Sequence, residues 1–207
     1  MQNNSHRQEL KDKIVDTALR MFMNQGIRQV RMDDIAKILS ISKRTLYEIY
    51  ENKEQLLMDA VKLQESMHLK VINNLSHAKL NTIEWLVEGY RLQMKELSTV
   101  SPSFFSDFGL YKNVRDFLYE EHLKRKAESR RFIDEGIREG YFLANLNYEV
   151  INNILDAASQ YILNANMYKE YGMPSLFHNF VVVFLRGICT QKGIELLDKL
   201  MQNVDDK

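Results

Sequence analysis

Residues 32–57 constrain this chain more than any other stretch. They read as two short helices separated by a tight turn, followed by the capped start of a third. Asp33 or Asp34 can cap the first helix, which carries Ile35, Ala36 and Leu39 on one face. Ser40-Ile41-Ser42 interrupts that periodicity, because serine side chains compete for backbone hydrogen bonds and favour caps and turns. Ser42 is placed to cap the second helix, whose Leu46, Ile49 and Tyr50 stand at core spacing. Asn52 is placed to cap the third, which carries Leu56 and Leu57. Helices this short cannot stand alone and need a platform. Residues 6–24 supply one, with Leu10, Ile14, Ala18, Leu19 and Phe22 on one stripe and Gly26 as a stop.

Between the apolar positions of the second helix lies a polar face, Lys43, Arg44, Thr45 and Tyr47, at its N-terminal end. A helix-turn-helix needs this arrangement, since its second helix enters the major groove with the first turn nearest the base edges. Lys43 and Arg44 can donate to guanine O6 and N7 or to phosphate, and Thr45 can meet a base or a thymine methyl. Tyr47 and Tyr50 can hydrogen-bond phosphate, Lys53 can neutralise one, and Arg31 can join a phosphate clamp at a helix start. With Ser42 at the head of the helix, these residues form the candidate DNA-binding set. Arg7 and Lys11 either reach phosphate as well or form a solvated helix end.

The residues also carry a family resemblance. Ile14, Ala18, Phe22 and Gly26 at four-residue spacing, then Asp34-Ile35-Ala36, the run Ile41 to Tyr47 and the run Lys53 to Leu57 resemble the N-terminal domain of TetR-type transcriptional repressors. The resemblance covers residues 10–58. The turn reads Leu39-Ser40-Ile41 where the family often has glycine, and Ile49-Tyr50 stands where His-Phe is frequent. The resemblance implies an all-α protein of about nine helices. Its N-terminal three-helix DNA-binding domain would cover residues 1–53, and a larger helical ligand-binding and dimerisation domain residues 54–207.

Composition agrees with a helical chain. Two prolines and eight glycines in 207 residues are few, and the length suffices for a real core. Formal charge is balanced at 28 basic against 28 acidic side chains, but not evenly distributed. Residues 1–53 hold ten Lys/Arg and seven Asp/Glu, leaving 18 and 21 for the remainder, so a mildly basic head precedes a mildly acidic body. The single cysteine, Cys189, excludes an intramolecular disulfide and a cysteine-based zinc cluster. The first nine residues lack the apolar core of a signal peptide, so none is expected, and the longest apolar run, residues 180–185, is far too short to cross a bilayer. A cytoplasmic protein without membrane contact is expected.

Enzyme chemistry finds little support. Cys189 reads as mid-helix in apolar surroundings, which suits an inert thiol better than a nucleophile. Glu65 and His68 have the spacing of a di-iron helix motif, which requires a second copy that is absent from the sequence. No catalytic residue, metal or cofactor is expected.

The body is read as a run of helices, the last extending from residue 174 to about 201. Trp85, Tyr90, Met94, Phe104, Phe105, Phe108, Tyr111, Phe117 and Tyr161 form an aromatic-rich set that either fills the core or lines a pocket. The resemblance implies a pocket for a small-molecule effector, expected to be apolar or aromatic. One head is too small for tight specific binding, so a homodimer on a palindromic double-stranded operator is expected. Ile154, Ala158, Phe177, Val181, Phe184 and Gly187 are candidates for its seam, although an apolar stripe alone does not distinguish a dimer face from a monomer core. The rival expectations are a helical adaptor whose head meets protein, and a DNA-binding activator or ligand-independent binder.

Overall fold

The structure is a computed structural model describing the backbone of residues 2–205 and the side chains of residues 5–125 and 129–202. The described residues form eleven helices, and the only β-type pairing among them is an isolated bridge between Phe142 and Cys189. They divide into two compact units, residues up to 71 with 99–121, and residues 72–98 with 122 onward.

The first unit contains α1 (Gln2–Gln25), α2 (Met32–Ile38), α3 (Lys43–Ile49), most of α4 (Lys53–His77), α6 (Pro102–Phe108) and the start of α7 (Lys112–Arg138). Ile14, Ala18 and Phe22 recur every fourth residue of α1 and are fully buried, as helical spacing requires of one face. They meet Ile27, Val30, Ile35, Leu46, Leu56, Leu57, Ala60 and Val114 in a single core. Serine caps work as expected. The Ser42 hydroxyl accepts the Thr45 N–H at 3.0 Å, and the Asn52 side chain accepts the Gln55 N–H at 3.0 Å. Helix α2 begins at Met32, ahead of the two candidate caps; Asp34 reaches back instead, accepting the Arg31 N–H at 3.0 Å.

Gly26 ends α1 with φ +90°, a left-handed conformation that favours glycine. A side chain there would also strike the Ser103 Cβ at 2.7 Å. This close approach lets α6 dock on the α1–α2 connection. The Ser101 N–H donates to the Met23 carbonyl at 2.7 Å, and the buried Asp107 carboxylate accepts the Arg28 N–H at 2.7 Å.

The second unit contains α5 (Thr82–Leu97), the remainder of α4 and α7, α8 (Tyr148–Asn164), α9 (Tyr168–Tyr171), α10 (Met173–Ile188) and α11 (Gln191–Asp205). Its core joins Ile83, Val87, Ile133, Phe142, Tyr148 and Leu197. Asn81 caps α5 through two N–H groups at 3.0 Å, and Glu139 accepts from both the backbone and the hydroxyl of Thr82.

Two expectations about the body need correction. The final helix is not continuous from 174 to 201, and Cys189 is not mid-helix. At Cys189 the backbone is extended (φ −83°, ψ 146°), because this segment pairs with residues 141–143. The Leu143 N–H donates to the Ile188 carbonyl at 2.9 Å and the Thr190 N–H to the Tyr141 carbonyl at 2.8 Å. The Thr190 hydroxyl then accepts the Gly193 N–H at 3.2 Å and starts α11. Glycine is required at 193, since a Cβ there would strike the Tyr141 carbonyl. A second break follows α8, which ends at Asn164 although its apolar stripe reads as one helix from 147 to about 168. Asn166, at φ 54°, breaks the helix, and α9 follows as a separate turn. These two breaks turn nine expected helices into eleven.

Burial pushes the Cys189 thiol up to about 11. Alkylation of the native protein at pH 8 should therefore be slow and should accelerate steeply on unfolding. Fast stoichiometric labelling of the folded chain, followed by mass spectrometry, would contradict this placement.

Candidate nucleic-acid interface

Helix α3 has seven residues, and its rotation on the head is fixed by Leu46, its one fully buried residue, with Ile49 packed half-buried against the same core. With Leu46 turned inward, Ser42, Lys43, Arg44 and Tyr47 are exposed and Thr45 is half-buried. The Thr45 hydroxyl is 2.8 Å from that of Ser42. The two basic side chains are each held by a carboxylate. Lys43 pairs with Asp33 of α2, and the Arg44 Nε donates to Glu48 at 2.9 Å. Hydrogen bonding to these acids raises both basic groups above their ordinary values. Arg31 is exposed just ahead of α2.

Two residues of the candidate set are directed elsewhere. Tyr50 is only 3% exposed and donates its hydroxyl to Asp59 at 2.9 Å. Burial first, and then Asp59, push that hydroxyl well above the usual phenol range. Burial would raise the Asp59 carboxyl, but hydrogen bonds from Lys11 and Tyr50 outweigh it and hold the group below its ordinary value. The ammonium of Lys53 donates to the carbonyls of Ile27 at 3.0 Å, Arg28 at 3.4 Å and Val30 at 3.1 Å, and burial lowers its pKa. Lys53 therefore shapes the α1–α2 connection, and Tyr50 belongs to the core. Lys11 pairs with Asp59 at 3.0 Å, and Arg7 donates to the Glu48 carbonyl at the end of α3 at 3.5 Å. Asp107 was missed by the sequence reading. No local pattern marks it, because its partner lies 79 residues away.

The aromatic set is split between the two units. Phe104, Phe108, Tyr111 and Phe117 pack against the core of the first unit, with Phe105 edge-on to Phe104 at 5.8 Å between ring centroids. In the second unit Trp85 lies 4.8 Å from Phe132, and Tyr90 stacks on Phe177 at 5.8 Å. The Tyr90 hydroxyl is 2.6 Å from His178 Nδ1. Met94 is half-buried and Tyr161 is 66% exposed. A separate open cleft of about 520 Å³ in the first unit is lined mainly by polar groups, among them Lys11, Asn52, Glu54, Gln55 and Asn113.

Of the candidate seam residues, Ile154 is 51% exposed and Gly187 is exposed with no atom within 4 Å of a built Cβ. Ala158, Val181, Phe177 and Phe184 are half-buried. Their neighbours extend the pattern. Val150, Tyr161 and Leu163 of α8 and Val183 of α10 are large apolar side chains left exposed, and α10 has no fully buried residue despite its apolar sequence. Among the described residues no helix is long and apolar enough to cross a membrane.

Comparison with known proteins gives the head a lineage. Residues 14–60 match the profile of the bacterial regulatory proteins, tetR family. Over 52 residues the chain is 40% identical to the biofilm operon icaADBC HTH-type negative transcriptional regulator IcaR of Staphylococcus epidermidis. That match spans 25% of this chain and 28% of the relative's own length. Solved structures resemble the chain over a longer span. A putative transcriptional regulator from Saccharomonospora viridis in complex with choline superposes with a TM-score of 0.67 at 20% identity, covering 89% of this chain and 100% of its own. A TetR-family regulator from Agrobacterium tumefaciens gives 0.66 at 14% identity over 89% and 100%. At these identities the structural likeness speaks for the fold, an N-terminal helix-turn-helix followed by a helical body. Over residues 14–60 the chain is thus similar to the N-terminal helix-turn-helix domain of the bacterial regulatory proteins, tetR family.

Proposed function

We propose that the protein is a homodimeric, ligand-responsive transcriptional repressor. Each head places residues 43–50 in a major groove of one half of a palindromic operator. The observation that carries this reading is the rotation of α3. Leu46 alone is fully buried, so Lys43, Arg44 and Tyr47 project from the head as a basic, hydrogen-bonding face. Arg31 adds a cation beside the start of α2, suited to phosphate. Lys53 and Tyr50 act indirectly, by holding the α1–α2 connection and the α3–α4 corner in place.

Two heads come together through the uncovered apolar faces of α8 and α10, where Ile154, Val183 and Gly187 stand exposed. The effector is a small apolar or aromatic molecule bound in the helical body. Repression is supported by the negative regulator that matches the head, and a small-molecule effector by the choline complex of the Saccharomonospora viridis regulator. Release requires the effector to bind one spacing of the heads more tightly than the other. A preference of about 1.4 kcal/mol changes DNA affinity only tenfold, so an effective switch needs several times that energy.

The test is selection of duplexes from a randomised pool, followed by anisotropy titration at two salt concentrations. Recovery of a palindrome, bound by a dimer and weakened steeply by salt, is the expected result. Weak binding without sequence preference, unchanged by Lys43→Ala and Arg44→Ala, would sink the proposal in favour of a protein-binding head.

A further inference from the structure

Glu48 is the only acidic residue of α3. Carboxylates on a helix that faces DNA are repelled by phosphate, so its place in this helix calls for a partner or a target. Its partner is Arg44. The two are four residues apart, on the side of the helix about 200° from the buried Leu46, which is its outermost face. Both side chains are largely exposed, Arg44 at 89% and Glu48 at 60%. Glu48 takes only the Nε edge of the guanidinium, and neither terminal nitrogen of Arg44 has an acceptor among the described residues.

That arrangement restricts what Arg44 can read. With Nε occupied, the side chain presents its two terminal N–H groups end-on, a fork that needs two neighbouring acceptors. Among the major-groove base edges only guanine offers two, O6 and N7, whereas adenine sets a donor beside its N7. Lys43 differs, because its point charge carries no such geometry and is already matched by Asp33 of α2.

Building on the DNA-binding reading above, we infer that Arg44 and Glu48 act as one base-reading unit. Arg44 contacts a guanine in each operator half-site, and Glu48 is the positioning residue that holds its fork end-on. Glu48 itself touches no base. The pair thus sets specificity at one base step, while Lys43 and Arg31 contribute affinity that is nearly independent of sequence.

The experiment is duplex selection with the full-length protein and with Arg44→Ala, Glu48→Gln and the double variant, each checked for folding by thermal melting. The wild type should recover a guanine at one fixed position of each half-site. Arg44→Ala should lose that preference by about ten- to a hundredfold. Glu48→Gln should relax the same position about three- to tenfold and leave the others unchanged. In the Arg44→Ala background Glu48→Gln should have no further effect, which a general structural role would not produce. Retained guanine preference in Glu48→Gln overturns the inference, as does a lost cytosine preference at another position, which would make Glu48 a direct reader. Both results leave the DNA-binding reading intact. A wild type that selects no sequence overturns that reading and this inference together.

Discussion

Val183→Glu is expected to convert a dimer into a monomer and to lower affinity for the palindromic operator by about two to four orders of magnitude. The second head of a dimer binds at an effective concentration set by its tether, and that advantage disappears when the subunits separate. Val183 suits the test because it is 67% exposed in the single chain, so a carboxylate there stays solvated and leaves the monomer core untouched. Burying two carboxylates against an apolar partner face is prohibitively costly by comparison. Ile154→Glu on α8, at 51% exposure, should behave the same way. A bulky side chain at Gly187 should also block close approach, with no clash inside its own subunit. Sedimentation equilibrium reads the mass and anisotropy the affinity. Retention of the dimer by both Val183→Glu and Ile154→Glu would place the seam elsewhere.

Leu46→Ala should abolish operator binding by a different route. Truncating a fully buried leucine costs about 2–5 kcal/mol, and here it removes the only fully buried side chain of α3. Helix α3 then loses its main anchor and its fixed rotation, so Lys43, Arg44 and Tyr47 no longer share a defined face. The head should melt on the order of 10 °C lower, while self-association through α8 and α10 persists. The contrast with Val183→Glu is diagnostic, one variant being dimeric and unable to bind DNA, the other folded and monomeric. Wild-type DNA affinity in Leu46→Ala would mean that α3 is not the reading element.

Residues 32–57 were legible because their signals are local. Ser42 and Asn52 cap within three residues of themselves, and Leu46, Leu56 and Leu57 follow helical spacing into the core. Tyr50 was harder to read, since an aromatic with a hydroxyl suits either core or phosphate. Its direction is decided by Asp59, one helix further on. Lys53 misled for a similar reason, because a lysine at a helix start near DNA looks free until three carbonyls of the α1–α2 connection are seen around it. The break at Cys189 left only a weak local trace, a lapse of the apolar stripe over Thr190, Gln191 and Lys192, and the pairing with residues 141–143 is what interrupts the helix. In each case the missing information lay in a partner outside the residue's own helix.

The first unit is assembled from two separate stretches of chain, and this separates what is inherited from what folds. The family match ends at residue 60, yet the same compact unit also takes in residues 99–121. Those later residues supply the buried Val114, the Asp107 carboxylate on the Arg28 N–H and the Asn113 amide on Glu54. A head cut at the edge of the recognisable homology would leave its own core open. Domain exchange between relatives is therefore a matter of matched pairs: a new reading head grafted onto this body must suit the resident α6 and α7, or bring their counterparts with it. The portable module is thus discontinuous in sequence, and a chimera spliced at one point inherits the specificity but not the fold that presents it.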